Sequence, residues 1–230
     1  MSRALASIAR RLAPQGMRKA VAAEVIEGLR AGFRAQLAAQ PQVELGARHL
    51  ASTVVLPDRE AMLERLPKGG RVAEIGVAAG DFTAEILART APERLDLVDV
   101  WGSARYSGDL MESVARRFAG EIDAGRVRMH RGLSTEIGPG FADGCFDWVY
   151  IDTDHSYATT RDELALYAAK VKPGGILAGH DYTSGSWVSL LPYGVIAAVH
   201  EFCVAEDWEL LYLTAEQRVP PSFAIRRIGG

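Results

Sequence analysis

The chain has 230 residues, nearly half of them apolar and 8% aromatic, with a formal net charge of −3. That is enough for one full core plus an extension and argues against overall disorder. Residues 1–48 hold eight basic residues against three acids, a balance of +5 that leaves −8 for the remainder, so nucleic acid is not expected as the main partner.

The elements follow in chain order. Residues 1–23 are rich in Ala, Ser and Arg and contain no acid. They read as a basic amphipathic helix, with an organelle transit peptide as the other reading. Helices are expected over 2–12 and 17–39, broken at Pro14-Gln-Gly16, and Val21, Val25, Leu29, Phe33 and Leu37 form one apolar stripe. Such a helix offers a surface for a homodimer or for membrane-surface contact. Pro57-Asp58 opens a short helix and sets the boundary between an N-terminal helical extension, 1–57, and a main domain, 58–230.

From there short apolar runs alternate with helical patterns. Strands are expected at Val72–Ile75, Leu95–Val100, Val127–His130, Phe146–Ile151 and Ile176–Gly179, and a terminal antiparallel pair at Trp208–Leu213 and Phe223–Arg227. Helices are expected at Phe82–Arg89, Leu110–Ala119, around Glu136, and at Thr160–Lys170 and Val195–Glu206, with Gly174-Gly175 as a turn. This alternation predicts an α/β fold with a doubly wound, mostly parallel sheet covered on both faces. Cys145 and Cys203 are distant and fit no paired motif, and no apolar run reaches the roughly 18 residues of a membrane span. A reducing, cytoplasmic setting fits that usage.

In such sheets ligands collect at the carboxyl ends of the strands. The chemically notable residues fall there. Val72-Ala-Glu-Ile-Gly-Val-Ala-Ala-Gly-Asp-Phe-Thr83 reads as strand, glycine turn and helix. Its Gly76-x-x-x-Gly80 spacing is not the dinucleotide pattern, so a ligand without a pyrophosphate is expected. Asp99 ends the next strand, where a carboxylate can accept from ribose hydroxyls. Asp152-Thr-Asp-His155 follows the fourth strand and His180-Asp181 the fifth. Two acids and two histidines at neighbouring strand ends can converge on one ion. Carboxylates favour a hard cation such as Mg²⁺, and a histidine ligand also admits Mn²⁺, Fe²⁺ or Zn²⁺.

This pattern resembles the class I S-adenosylmethionine-dependent methyltransferases. Glu74-Ile-Gly-Val-Ala-Ala-Gly80 looks like their first motif and Asp99 like their ribose-binding acid. The resemblance implies a seven-stranded sheet of order 3-2-1-4-5-7-6 with the last strand antiparallel. It implies S-adenosyl-L-methionine as cofactor, held by Glu74, Gly76, Ala78, Gly80, Phe82, Thr83, Asp99 and Asp152, with Trp101, Leu133 and Ser134 bordering the adenine. Asp152-Thr-Asp-His155 further resembles the metal-dependent sugar and macrolide O-methyltransferases, with His180 standing where that branch carries the first acid of a pair. That implies Asp152, His180 and Asp181 as ligands of Mg²⁺ or Mn²⁺. It also implies a small-molecule or glycan substrate with a hydroxyl acceptor. His155 is the first choice for the base that deprotonates it and Asp154 the second. Tyr157, Tyr182 and Trp187 are candidates for the acceptor pocket. The alternatives are metal-independent N-, C- or carboxyl-methyl transfer, and a non-catalytic cofactor-binding or assembly module.

Overall fold

A computed structural model describes residues 15–102, 108–186 and 191–229. The expected helix over 2–12 and Trp187 lie outside them. The sheet is built from β1 (Val54–Leu56), β2 (Arg71–Ile75), β3 (Arg94–Asp99), β4 (Val127–Arg131), β5 (Phe146–Ile151), β6 (Val171–Gly179), β9 (Trp208–Thr214) and β10 (Phe223–Arg227). Its order is β4-β3-β2-β5-β6-β10-β9-β1, with β10 antiparallel to both neighbours. A small hairpin of β7 (Gly185–Ser186) and β8 (Leu191–Pro192) stands apart. The seven expected strands take the expected order. The correction is an eighth, β1, which pairs in parallel with β9 at the sheet edge. Only Leu56 of its three residues is buried, so no periodicity could reveal it. A second correction concerns Gly174-Gly175, which lie inside β6 and not in a turn before it.

The central strands are apolar on both faces because helices cover both. Val72, Leu95, Trp148, Tyr150 and Ile176 point to one layer, with Leu63 of α3 (Arg59–Arg65) and Ile86 of α4 (Asp81–Thr90). Ala73, Ile75, Val149 and Leu177 point to the other, with Leu164 of α8 (Tyr157–Ala168) and Phe202 of α9 (Val195–Glu206). Asp58 caps α3 by accepting from Ala61 N–H at 2.8 Å, and Ser156 caps α8 by accepting from Thr159 N–H. Between β3 and β4 run α5 (Gly108–Arg117) and α6 (Ala119–Asp123), and α7 (Ser134–Ile137) follows β4.

The N-terminal helix α1 (Gln15–Ala38) spans 24 residues, and α2 (Ala47–Leu50) follows. The helix is fastened at its carboxyl end, where the Phe33 ring sits against Gly185 and Gln40 donates to Tyr193 O at 3.2 Å. Upstream, Val21, Val25, Ile26 and Leu29 are exposed, so the apolar stripe is covered at one end only. No described helix is long and apolar enough to cross a membrane.

Candidate active site

The carboxyl ends of β2, β3, β5 and β6 meet at one edge. After β2 the chain turns at Gly76, where φ is +90° and a Cβ would lie 1.8 Å from Asp152 O. Only glycine allows the turn to lie against the loop after β5. Gly80, at φ +76°, then opens α4. The Asp99 carboxylate pins this turn. Its Oδ2 accepts from Val77 and Ala78 N–H at 2.8 and 2.9 Å, and its Oδ1 from Trp101 N–H at 2.8 Å. Three of roughly four lone-pair positions are thus engaged, leaving one for a ligand hydroxyl.

Several residues expected to touch the cofactor act from behind. Glu74 is 1% exposed and Thr83 fully buried, with the Thr83 hydroxyl donating to Glu74 Oε2 at 2.5 Å. Burial pushes the Glu74 carboxyl up to about 8, against the Thr83 hydrogen bond. Trp101 does not form an adenine wall, because its ring is wholly buried and its Nε1 donates to Ala78 O at 3.1 Å, bracing the glycine turn from inside. The apolar surface that remains open at the ends of β3 and β4 belongs to Val100 and Leu133. Ser134 turns its hydroxyl to Glu163 Oε1 at 2.5 Å, and Thr153 donates to Glu163 Oε2 at 2.8 Å. Glu163, on α8, therefore ties the loop after β4 to the loop after β5. Burial raises its carboxyl to about 7.

At the other side of the edge, Asp152, His155 and Asp181 come together, each offering a donor atom within 4.8 Å of the others. His155 Nδ1 is 3.2 Å from Asp181 Oδ2. Asp181 is 6% exposed. Burial and the nearby Asp181 charge push the Asp152 carboxyl up to about 7, and burial raises Asp181 as well. The placement of two expected residues differs. His180, expected as a ligand, is not in this group, and its Nδ1 is 2.9 Å from Ser222 Oγ. Burial lowers its imidazole to about 4. Asp154, the second candidate base, is exposed, and its carboxylate accepts from Ser156 N–H and the Thr159 hydroxyl, so it orders the start of α8. Tyr157 bonds to Glu201, and Tyr182 to His200 at 2.5 Å.

Six non-glycine residues among those described have positive φ. Ala91 and Asp207 end helices, whereas Ala78, Trp101, His155 and Asp181 all lie at this edge. Left-handed backbone at such residues costs of order 1–3 kcal/mol each and gathers at functional sites. Sequence reasoning also missed Arg59, the first residue of α3. Its guanidinium carbon is 4.6 Å from the Phe82 ring centroid, and Phe82 packs on Tyr150 at 4.3 Å. It faces Tyr150, Asp152, Glu74 and Asp181. An arginine at a helix start carries no motif, and only the packing of α3 on α4 brings it here.

Residues 73–182 match the model of a family described as methyltransferase domain. No curated protein sequence matches the chain. Solved structures share the fold at low identity. A putative rRNA-methylase from Clostridium thermocellum is 14% identical, with 76% of this chain and 99% of that one covered and a TM-score of 0.58. Cofactor-bound Rv0187 from MTB is 18% identical over 87% and 89%, with a TM-score of 0.55. Geranyl diphosphate C-methyltransferase from Streptomyces coelicolor A3(2), in complex with Mg2+, geranyl diphosphate and S-adenosyl-L-homocysteine, is 12% identical over 74% and 80%, with a TM-score of 0.56. Residues 73–182 therefore match a methyltransferase domain, and the sheet that carries the turn between Glu74 and Gly80 is a fold shared with these solved structures.

Proposed function

We propose that this chain is a class I, S-adenosylmethionine-dependent methyltransferase that methylates a hydroxyl oxygen of a small molecule, sugar or glycan, with a divalent cation at Asp152, Asp181 and His155. The observation that carries the reading is the meeting of two carboxylates and one imidazole within 4.8 Å at the end of the sheet that carries the glycine turn. Two hard oxygen donors with one nitrogen suit Mg²⁺ or Mn²⁺. The donor supplies an electrophilic methyl group; its carbon–sulfur bond breaks as the new carbon–oxygen bond forms, and the hydroxyl's proton passes to water. A cation held by these residues would lower the acceptor hydroxyl's pKa and fix its orientation. Gly76 against Asp152 O keeps the donor turn and the acceptor loop in register, and Asp99 holds the turn's shape. The net −8 beyond residue 48 supports a small acceptor over RNA.

The direct His155–Asp181 contact favours a second reading, without metal. There Asp181 orients the imidazole, and His155 takes the acceptor's proton, an effect of about 10²–10⁴-fold. Chelation separates the two. Under the first reading, activity toward a hydroxyl acceptor falls in EDTA and returns with Mg²⁺ or Mn²⁺. Full activity in EDTA, lost in His155→Ala, refutes the first and supports the second.

A further inference from the structure

Among the described residues nothing covers α1 upstream of its fastening. Every residue from Lys19 to Gly32 is exposed, although the same helix is held at Phe33 and Gln40. At 100° per residue, Val21, Val25, Leu29 and Ile26 fall within an arc of about 140°. They are 48–56% exposed. Glu24, Glu27, Arg30 and Arg34 take the other side of the helix, where Arg34 pairs with Glu27 Oε1 at 2.5 Å. A helix of about four turns is marginal alone in water and is stabilised in a protein by packing such a stripe. The charge decides between covers. Arg3, Arg10, Arg11, Arg18 and Lys19 all precede the first acid, Glu24, whereas the chain beyond residue 48 carries −8. A second copy fits poorly. An antiparallel pair of α1 helices centred on Val25 would set Lys19 of one copy beside Arg30 of the other, and a parallel pair would lay the two basic starts side by side. Like charges meet in both arrangements. An anionic surface meets the stripe and the cations together, and Lys19 at the edge of the stripe can extend its ammonium to the headgroups.

We infer that α1 docks the chain on an anionic lipid surface, with the stripe from Val21 to Leu29 entering the headgroup boundary and the basic residues before Glu24 meeting the headgroup charge. The acidic body is repelled by the same surface, so α1 leads the approach. The fastened end of the helix reaches Tyr193, whose backbone oxygen accepts from Gln40 and whose ring centroid lies 4.8 Å from that of His155. Docking through α1 therefore holds the edge that carries Asp152, His155 and Asp181 near the lipid. The surface stands on the helix alone and is independent of the reaction proposed above.

Sedimentation of the full chain with phosphatidylcholine vesicles, with and without phosphatidylserine, tests the inference. The serine-containing vesicles should bind at least about tenfold more tightly than the neutral ones, and high salt should release the chain. Arg18→Gln with Lys19→Gln should weaken that binding roughly 25-fold, about fivefold per cation. Val25→Gln with Leu29→Gln puts good helix formers at two exposed positions, so the thermal melt should not move, and binding should fall by at least about tenfold. Equal binding to both vesicle types, or binding to neither, overturns the inference. So does a chain that is dimeric by light scattering and becomes monomeric in Val25→Gln with Leu29→Gln, a result that would assign the stripe to a second copy.

Discussion

Glu74→Gln isolates one buried ionisation. The wild-type carboxyl is 1% exposed and is pushed up to about 8 by burial, from the ordinary glutamate value of 4.5. An acid whose folded value lies above its unfolded value binds more protons folded than unfolded. Its stabilising contribution is complete below about 4.5 and is lost as pH rises through about 8. Each unit is worth about 1.4 kcal/mol, so the full window amounts to about 4–5 kcal/mol. Glutamine has the same shape, keeps an oxygen to accept from the Thr83 hydroxyl, and does not titrate. Urea unfolding of both chains at pH 5 and pH 8.5 measures the effect. The stability of Glu74→Gln relative to wild type should rise by about 4 kcal/mol between the two pH values. The other titrating groups are common to both chains and cancel in the difference. A difference that stays constant across the window would refute the burial argument and with it the picture of Glu74 as a neutral floor under the donor.

Gly76→Ala should abolish donor binding and cost about 2 kcal/mol or more of stability, because its Cβ would sit 1.8 Å from Asp152 O at a φ of +90°; calorimetry and urea melts read both. Asp96 on β3 is fully buried; burial alone would raise its pKa, but hydrogen bonds from His130, Arg94 and Arg71 hold it down to about 2. Asp96→Asn should therefore lose about 3 kcal/mol at pH 7, and the wild-type contribution, present above 3.8, should vanish as pH falls through about 2. Asp181→Asn should weaken Mn²⁺ binding by more than about tenfold, read by titration of free Mn²⁺; unchanged binding would remove the ion from the proposal.

The fold was legible where short apolar runs end in Gly, Asp or Pro. Phe146–Ile151, Val195–Glu206 and Phe223–Arg227 have the bounds expected from sequence, because both faces of those strands and one broad face of that helix are buried. β1 was not legible, having one buried residue in three. At the site, sequence order located the loops but not the direction of the side chains. His155 and His180 both flank acids, and the left-handed backbone of His155, which lays its ring against Asp181, and the Ser222 hydroxyl beside His180 separate their surroundings. Glu163 and Arg59 were invisible because each sits on a helix whose residues look like ordinary solvated positions until the helix is laid across the strand ends.

The bare α-carbon of Gly76 beneath the Asp152 carbonyl has a mechanical consequence. With no side chain between them, and with Asp152 N–H donating to Ile75 O at 2.7 Å, the peptide after β2 and the peptide after β5 are in direct contact. A displacement of the first by a few tenths of an ångström therefore presses directly on the second, so under the proposed function the donor side and the acceptor side of the crevice share one backbone contact.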